Sequence, residues 1–114
     1  GGSGIDVLSY AARANPLTVV LNNTAGSGEA GEGDKPNTDI ENLTGGSGAD
    51  KLTGNNLNNT ITGGLGADQL FGLLGNDLLL ALDSVVDTTL DGGAGTDTAQ
   101  KDAGDLATGV EVFI

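Results

Sequence analysis

Oxygen donors recur in this chain at a fixed interval. Asp50, Asn59, Asp68 and Asp77 stand nine residues apart, and each closes a short loop opened by a glycine at 45, 54, 63 or 72. Asp6 and Asp97 close loops of the same kind, GGSGID and GGAGTD. Carboxylates and the carbonyls of tight turns are oxygen ligands, which hard divalent cations prefer. Two carboxylates stacked about 5 Å apart repel by roughly 3 kcal/mol at an effective dielectric near 20. A cation between the loops reverses that sign. The chain has no Cys and no His, so thiolate and imidazole metal sites are excluded.

Other chemistries fit less well. There is no Gly-Lys-Ser/Thr, no in-frame GxGxxG opening a helix and no D-x-[DN]-x-[DN]-G loop, which removes phosphate loops and EF-hands. Carboxylates are numerous, but no base, nucleophile or pocket residue stands apart from the repeat. The chain therefore reads as non-enzymatic, any activity belonging to a further domain. Net charge is −12, with only Arg13, Lys35, Lys51 and Lys101 as cations. That balance disfavours nucleic acid and anionic membranes. No run approaches the roughly 18 apolar residues of a spanning helix, so no membrane insertion is expected.

The elements that position the donors follow from the same period. Residues 45–80 divide into GGSGADKLT, GNNLNNTIT, GGLGADQLF and GLLGNDLLL, with Leu52, Ile61, Leu70 and Leu79 in the eighth place. A period of nine fits neither a helix nor one long strand. It fits a short turn and a short strand, repeated. If two blocks make one coil, loops 18 residues apart stack at the strand spacing of about 4.8 Å. Asp50 then lies over Asp68 and Asn59 over Asp77, while Asp97 follows Asp77 by 20 because the frame slips at Ala81 and Leu82. The core is one thin file, Leu52, Ile61, Leu70, Leu79 and Leu90, each worth about 1.5–3 kcal/mol when buried. Ordering many glycines opposes it. Folding and cation binding are therefore expected to be linked.

We read one domain in four parts. Residues 1–9 are a first repeat. Residues 10–37 are an insertion that loops out, carrying one strand (LTVVL, 17–21) and an acidic, Gly-rich loop expected to be mobile. Residues 38–100 are the array, which begins on a degenerate repeat with Ile40 and Leu43 and includes a degenerate block at 83–91. Residues 101–114 cap it, as a turn or short helix followed by the strand VEVFI. The chain starts at Gly1 within a repeat, which reads as a piece of a longer polypeptide. Leu78 and Leu80 are apolar at outward positions. Either residues 82–86 cover them, the reading we favour, or a partner docks there.

These blocks resemble the hemolysin-type calcium-binding nonapeptide repeats of secreted bacterial RTX proteins. GGSGADKLT, GGLGADQLF and GGAGTDTAQ carry the resemblance most fully. It implies an all-β fold, a right-handed parallel β-roll (β-solenoid), with several Ca2+ ions between successive coils. In that family one loop gives the carbonyls of its second and fourth residues and its Asp. The loop a coil later gives the carbonyls of its first and third residues and its own Asp. Carried over, one site uses Gly46, Gly48 and Asp50 with Gly63, Leu65 and Asp68. A second uses Leu73, Gly75 and Asp77 with Gly92, Ala94 and Asp97. A third sets Asn55, Leu57 and Asn59 against Gly72, Leu74 and Asp77. Lacking one charge, it is expected to be weaker or to rely on carbonyls, or Asn59 forms a side-chain ladder without metal. A fourth sets Gly64, Gly66 and Asp68 against Asp83, Val85 and Thr88, where the pattern fails. Asp6 is a further candidate ligand whose partner the insertion hides, and Asp39 and Glu41 are placed to close the site above Asn59.

The resemblance also implies a module that folds on calcium outside the cell, after type I secretion, and supports the export and stability of a larger protein. Two alternatives stand beside it: an adhesin or ligand-binding segment, and an accessory part of a secreted enzyme. Tyr10, Phe71 and Phe113 are the only aromatic residues, few for a ligand-binding pocket.

Overall fold

Each nonapeptide folds as a turn followed by a strand of three or four residues. The computed structural model describes residues 3–22, 26–29, 31–34 and 37–114. Gly1 and Gly2 of the first repeat, and residues 23–25, 30, 35 and 36 of the acidic loop, lie outside them. The strands are β1 (Val7–Ser9), β2 (Leu17–Val20), β3 (Gly28–Glu29), β4 (Asn42–Thr44), β5 (Lys51–Thr53) and β6 (Thr60–Thr62). They continue as β7 (Gln69–Phe71), β8 (Leu78–Ala81), β9 (Thr89–Asp91), β10 (Thr98–Lys101), β11 (Ala107–Thr108) and β12 (Val112–Phe113). No helix occurs among the described residues.

The chain alternates between two six-stranded sheets, β1-β4-β6-β8-β10-β12 and β11-β9-β7-β5-β2-β3. Every strand pairing is parallel except β2 with β3. This is an all-β parallel β-roll. Sequences such as KLT, TIT and QLF explain the strands: a central apolar residue points inward and its neighbours point out. Leu43, Ile61, Leu79 and Ala99 of the first sheet, with Val19, Leu52, Leu70 and Leu90 of the second, are completely buried.

Register follows the two-block coil. Leu43 pairs with Ile61, Ile61 with Leu79, and Leu52 with Leu70, each 18 residues on. Beyond them the step is 20, pairing Leu70 with Leu90 and Leu79 with Ala99. Ala81 absorbs one extra residue by lengthening β8 and entering the core, and Leu82 turns outward.

Residues 10–22 do not merely loop out. β2 lies within the second sheet, with Val19 paired to Leu52, so this stretch supplies a strand of the coil. The acidic loop, expected to be mobile, is tethered at its described residues. Arg13 meets Glu32 at 2.6 Å and Glu29 at 3.4 Å. The Tyr10 hydroxyl donates to Asp34 Oδ2 at 2.9 Å, and Ser27 bridges to Asp34.

At the other end, residues 101–108 form a turn and β11 rather than a helix. β12 takes the edge of the first sheet with Val112, Phe113 and Ile114 exposed. Leu78 and Leu80 are half-buried. Leu82 and Asp83 line one surface groove with Leu80. Leu82, Val85 and Val86 are themselves exposed, and Asp83 Oδ2 accepts the Gly66 N–H of the neighbouring turn.

Candidate metal centre

The sixth-place residues form two ladders, one at each side of the roll. The Asp50 N–H donates to Asp68 Oδ1 at 2.8 Å, one coil on. On the other side the Asn59 N–H donates to Asp77 Oδ1, and the Asp77 N–H to Asp97 Oδ1, both at 2.7 Å. Each bond fixes one carboxylate oxygen and leaves the other facing its own loop. For Asp77 and Asp97 that second oxygen is buried and has no hydrogen-bond partner. Such a group costs about 1–3 kcal/mol, more when charged, unless something positive meets it.

Carbonyl oxygens approach the same points. A Cβ on Gly72 would lie against both Asp77 Oδ2 and the Gly92 carbonyl oxygen. At Gly45 the pair is Asp50 Oδ2, at 2.6 Å, and the Gly63 carbonyl oxygen. At Gly54 it is Asn59 Oδ1 and the Gly72 carbonyl oxygen. Only glycine leaves this space open. In the second and fourth places, a Cβ on Gly64 or Gly66 would strike the carbonyl oxygens of Gly46 and Gly48. Gly93 and Gly95 stand in the same relation to Leu73 and Gly75. The Gly46 carbonyl also accepts the Leu65 N–H at 3.1 Å, and that of Leu73 the Ala94 N–H at 2.8 Å. A carbonyl has two lone pairs, so one acceptor position remains on each. Among the described residues no three acidic side chains are placed to hold one metal ion by themselves. A cation held between the coils would thus take many of its ligands from the backbone. The donor set, all oxygen with one or two carboxylates, fits calcium.

A family model for the RTX calcium-binding nonapeptide repeat (4 copies) matches residues 37–56 and 44–79. Residues 37–79 of the array are similar to RTX repeats. RTX nonapeptide repeats bind Ca2+, as structural rather than catalytic units. No curated protein matches the chain significantly.

The RTX register brings most of the expected residues together. The loops bearing Gly46, Gly48 and Asp50, and Gly63, Leu65 and Asp68, stack directly, as do those bearing Leu73, Gly75 and Asp77, and Gly92, Ala94 and Asp97. Leu74 forms a bridge with Ala94 in the second stack. Asn55, Leu57 and Asn59 lie over Gly72, Leu74 and Asp77, with Leu57 O against Gly75. Above Asn59 the arrangement is different. Asn59 Nδ2 donates to the Glu41 carbonyl at 3.1 Å, and Asn55 Nδ2 to the Ile40 carbonyl at 2.8 Å. Amide hydrogens thus occupy the carbonyls that face this loop. The Glu41 carboxylate points the other way, and its Oε2 accepts the Asp6 N–H at 2.9 Å. That bond and the pairing of Leu8 with Leu43 give the first repeat its register. Asp39 sits in the turn before Ile40.

In the degenerate block the carboxylate comes from an unforeseen residue. The Asp68 N–H donates to Asp87 Oδ1 at 2.6 Å, whereas Thr88 contributes its N–H to the Asp68 carbonyl. Asp83 caps the turn, accepting N–H groups from Gly66 and Val85. The ladders continue to Asp105, which accepts the Asp87 N–H, and Glu111, which accepts that of Asp97, both at 2.7 Å. Asp105 lies 18 residues after Asp87, a spacing visible in the sequence. Glu111 has no such signal.

Burial shifts the titration of Asp50, Asp68, Asp77 and Asp87. Burial pushes Asp68 up to about 7, and the charges of Asp87, Asp50 and Asp83 add to the effect. Asp77 rises to about 6 through burial and then Asp97. Asp87 rises to about 6 through burial and then Asp105, Asp83 and Asp102. Asp50 is raised by burial despite the N–H groups of Gly46 and Leu17.

Proposed function

We propose that this chain is a calcium-dependent folding module of a larger exported protein, working outside the cell. The observation that carries the reading is Asp77 Oδ2, buried without a hydrogen-bond partner beside the Gly92 carbonyl. One ion is assigned to Gly46, Gly48 and Asp50 with Gly63, Leu65 and Asp68. Another is assigned to Leu73, Gly75 and Asp77 with Gly92, Ala94 and Asp97. Asn55, Leu57 and Asn59 with Gly72, Leu74 and Asp77 make a weaker site, short of one charge. Gly64, Gly66 and Asp68 make a fourth with the turn at 83–87, Asp87 supplying the carboxylate in place of Thr88. Extracellular calcium modules bind at about 10⁻⁴–10⁻³ M. A cytosol poor in calcium would leave such a chain unfolded for export, and calcium outside would fold it.

Asp77→Asn tests the assignment. Asn keeps the size and an acceptor for the Asn59 N–H, but removes the charge from the two sites that share Asp77. Equilibrium dialysis should show calcium affinity at those sites falling roughly tenfold or more. Unchanged binding would remove the sixth-place carboxylates from the calcium sites.

A further inference from the structure

One ladder ends on a residue that belongs to no nonapeptide. Asp97 is completely buried. Its Oδ2 has no hydrogen-bond partner and lies 2.6 Å from where a Cβ on Gly92 would stand. The Gly109 carbonyl oxygen lies against the same point. This repeats the arrangement at Gly72, where Asp77 Oδ2 meets the Gly92 carbonyl. Glu111 Oε2 accepts the Asp97 N–H at 2.7 Å. In return, the Glu111 and Val112 N–H groups both donate to the Asp97 carbonyl at 3.0 Å. Residues 109–111 therefore dock on the loop at 92–97 as a later repeat would, although the sequence Gly-Val-Glu has none of the repeat's glycine pattern.

We infer that Asp97, the Gly109 carbonyl and Glu111 form a further calcium site beyond the last nonapeptide, one that pins β12 to the array. The donors are all oxygen and two are carboxylates, the set a hard divalent cation prefers. Lys101, the cation in the same terminal stretch, does not serve Asp97. Its Nζ donates to the carbonyls of Asp102 and Asp105 at 3.1 and 3.3 Å. The inference rests on the calcium-binding reading of the repeats and extends it to residues their pattern does not include.

Glu111 serves this site alone, which makes it the residue to change. Glu111→Gln keeps an oxygen acceptor for the Asp97 N–H and removes the charge. Glu111→Lys places an ammonium where the ion would sit, holding β12 without it. Bound calcium is counted by equilibrium dialysis on the full chain, with far-UV circular dichroism verifying the fold. The expected result is one ion fewer than wild type in each variant that folds, with the other ions bound as before. Should Glu111→Gln not fold, a folded Glu111→Lys that binds one ion fewer carries the inference. A folded variant that binds the wild-type number overturns it. A wild-type chain that binds no calcium overturns the reading of the repeats as well.

Discussion

Leu73 stands in the second place of its loop, where the loops at 63 and 92 have glycine. Its φ is +82°, in line with +101° at Gly64 and +87° at Gly93. The loop shape is thus imposed on a residue with a Cβ. A left-handed conformation costs an L-residue roughly 1–2 kcal/mol. Leu73 is 43% exposed, so little packing offsets that. Glycine would relieve the strain and lose about 0.5–1 kcal/mol to its greater freedom when unfolded. Leu73→Gly should therefore stabilise the calcium-loaded chain by up to about 1 kcal/mol, read as a higher urea midpoint. A lower midpoint would mean that the side chain contributes more than its exposure suggests. Positive φ is not general in the array: of the glycines in the loops at 45 and 54, none has it.

Single strands of three residues cannot persist alone, and each depends on the file of side chains between the sheets. Leu70 is the centre of that file, completely buried and paired with Leu52 and Leu90. Leu70→Ala should cost about 2–5 kcal/mol at saturating calcium, measured by urea unfolding, because a thin core has little material to collapse into the cavity. A cost under about 1 kcal/mol would show that calcium, not the core, carries stability there. The eighth-place residues were legible in the sequence because turn and strand lengths repeat without change from 45 to 80. The register of β2 was not, since residues 10–16 form their turn without the glycine pattern. Asp87 was obscured for a different reason. The slip at Ala81 and Leu82 puts Thr88 in the sixth place, while the structure turns the carboxylate of the preceding residue into that position. Glu111 was illegible because residues 109–111 reproduce the contacts of a loop without its composition.

At the scale of the whole molecule, a net charge of −12 is folded around ladders of buried carboxylates. Burial first, and neighbouring acids second, raise Asp68 to about 7 and Asp77 and Asp87 to about 6, from an ordinary 3.8. A raised carboxylate pKa stabilises the metal-free fold fully below the ordinary value. That contribution is lost as pH rises through about 6 to 7. If calcium binds where we propose, protons and calcium compete for the same groups, and the metal-free chain should be weaker at neutral pH than at pH 5. The direct measurement is far-UV circular dichroism of the full chain, titrated with calcium from chelator at pH 7.5, with magnesium as control and a chelator-only series down to pH 5. The predicted result is little β signal in chelator at pH 7.5 and a calcium-specific gain in the sub-millimolar to millimolar range. The chelator-only series should gain β signal as pH falls. A full β signal in chelator at pH 7.5, unchanged by calcium, would contradict the account and leave the core and the N-terminal coil sufficient for the fold.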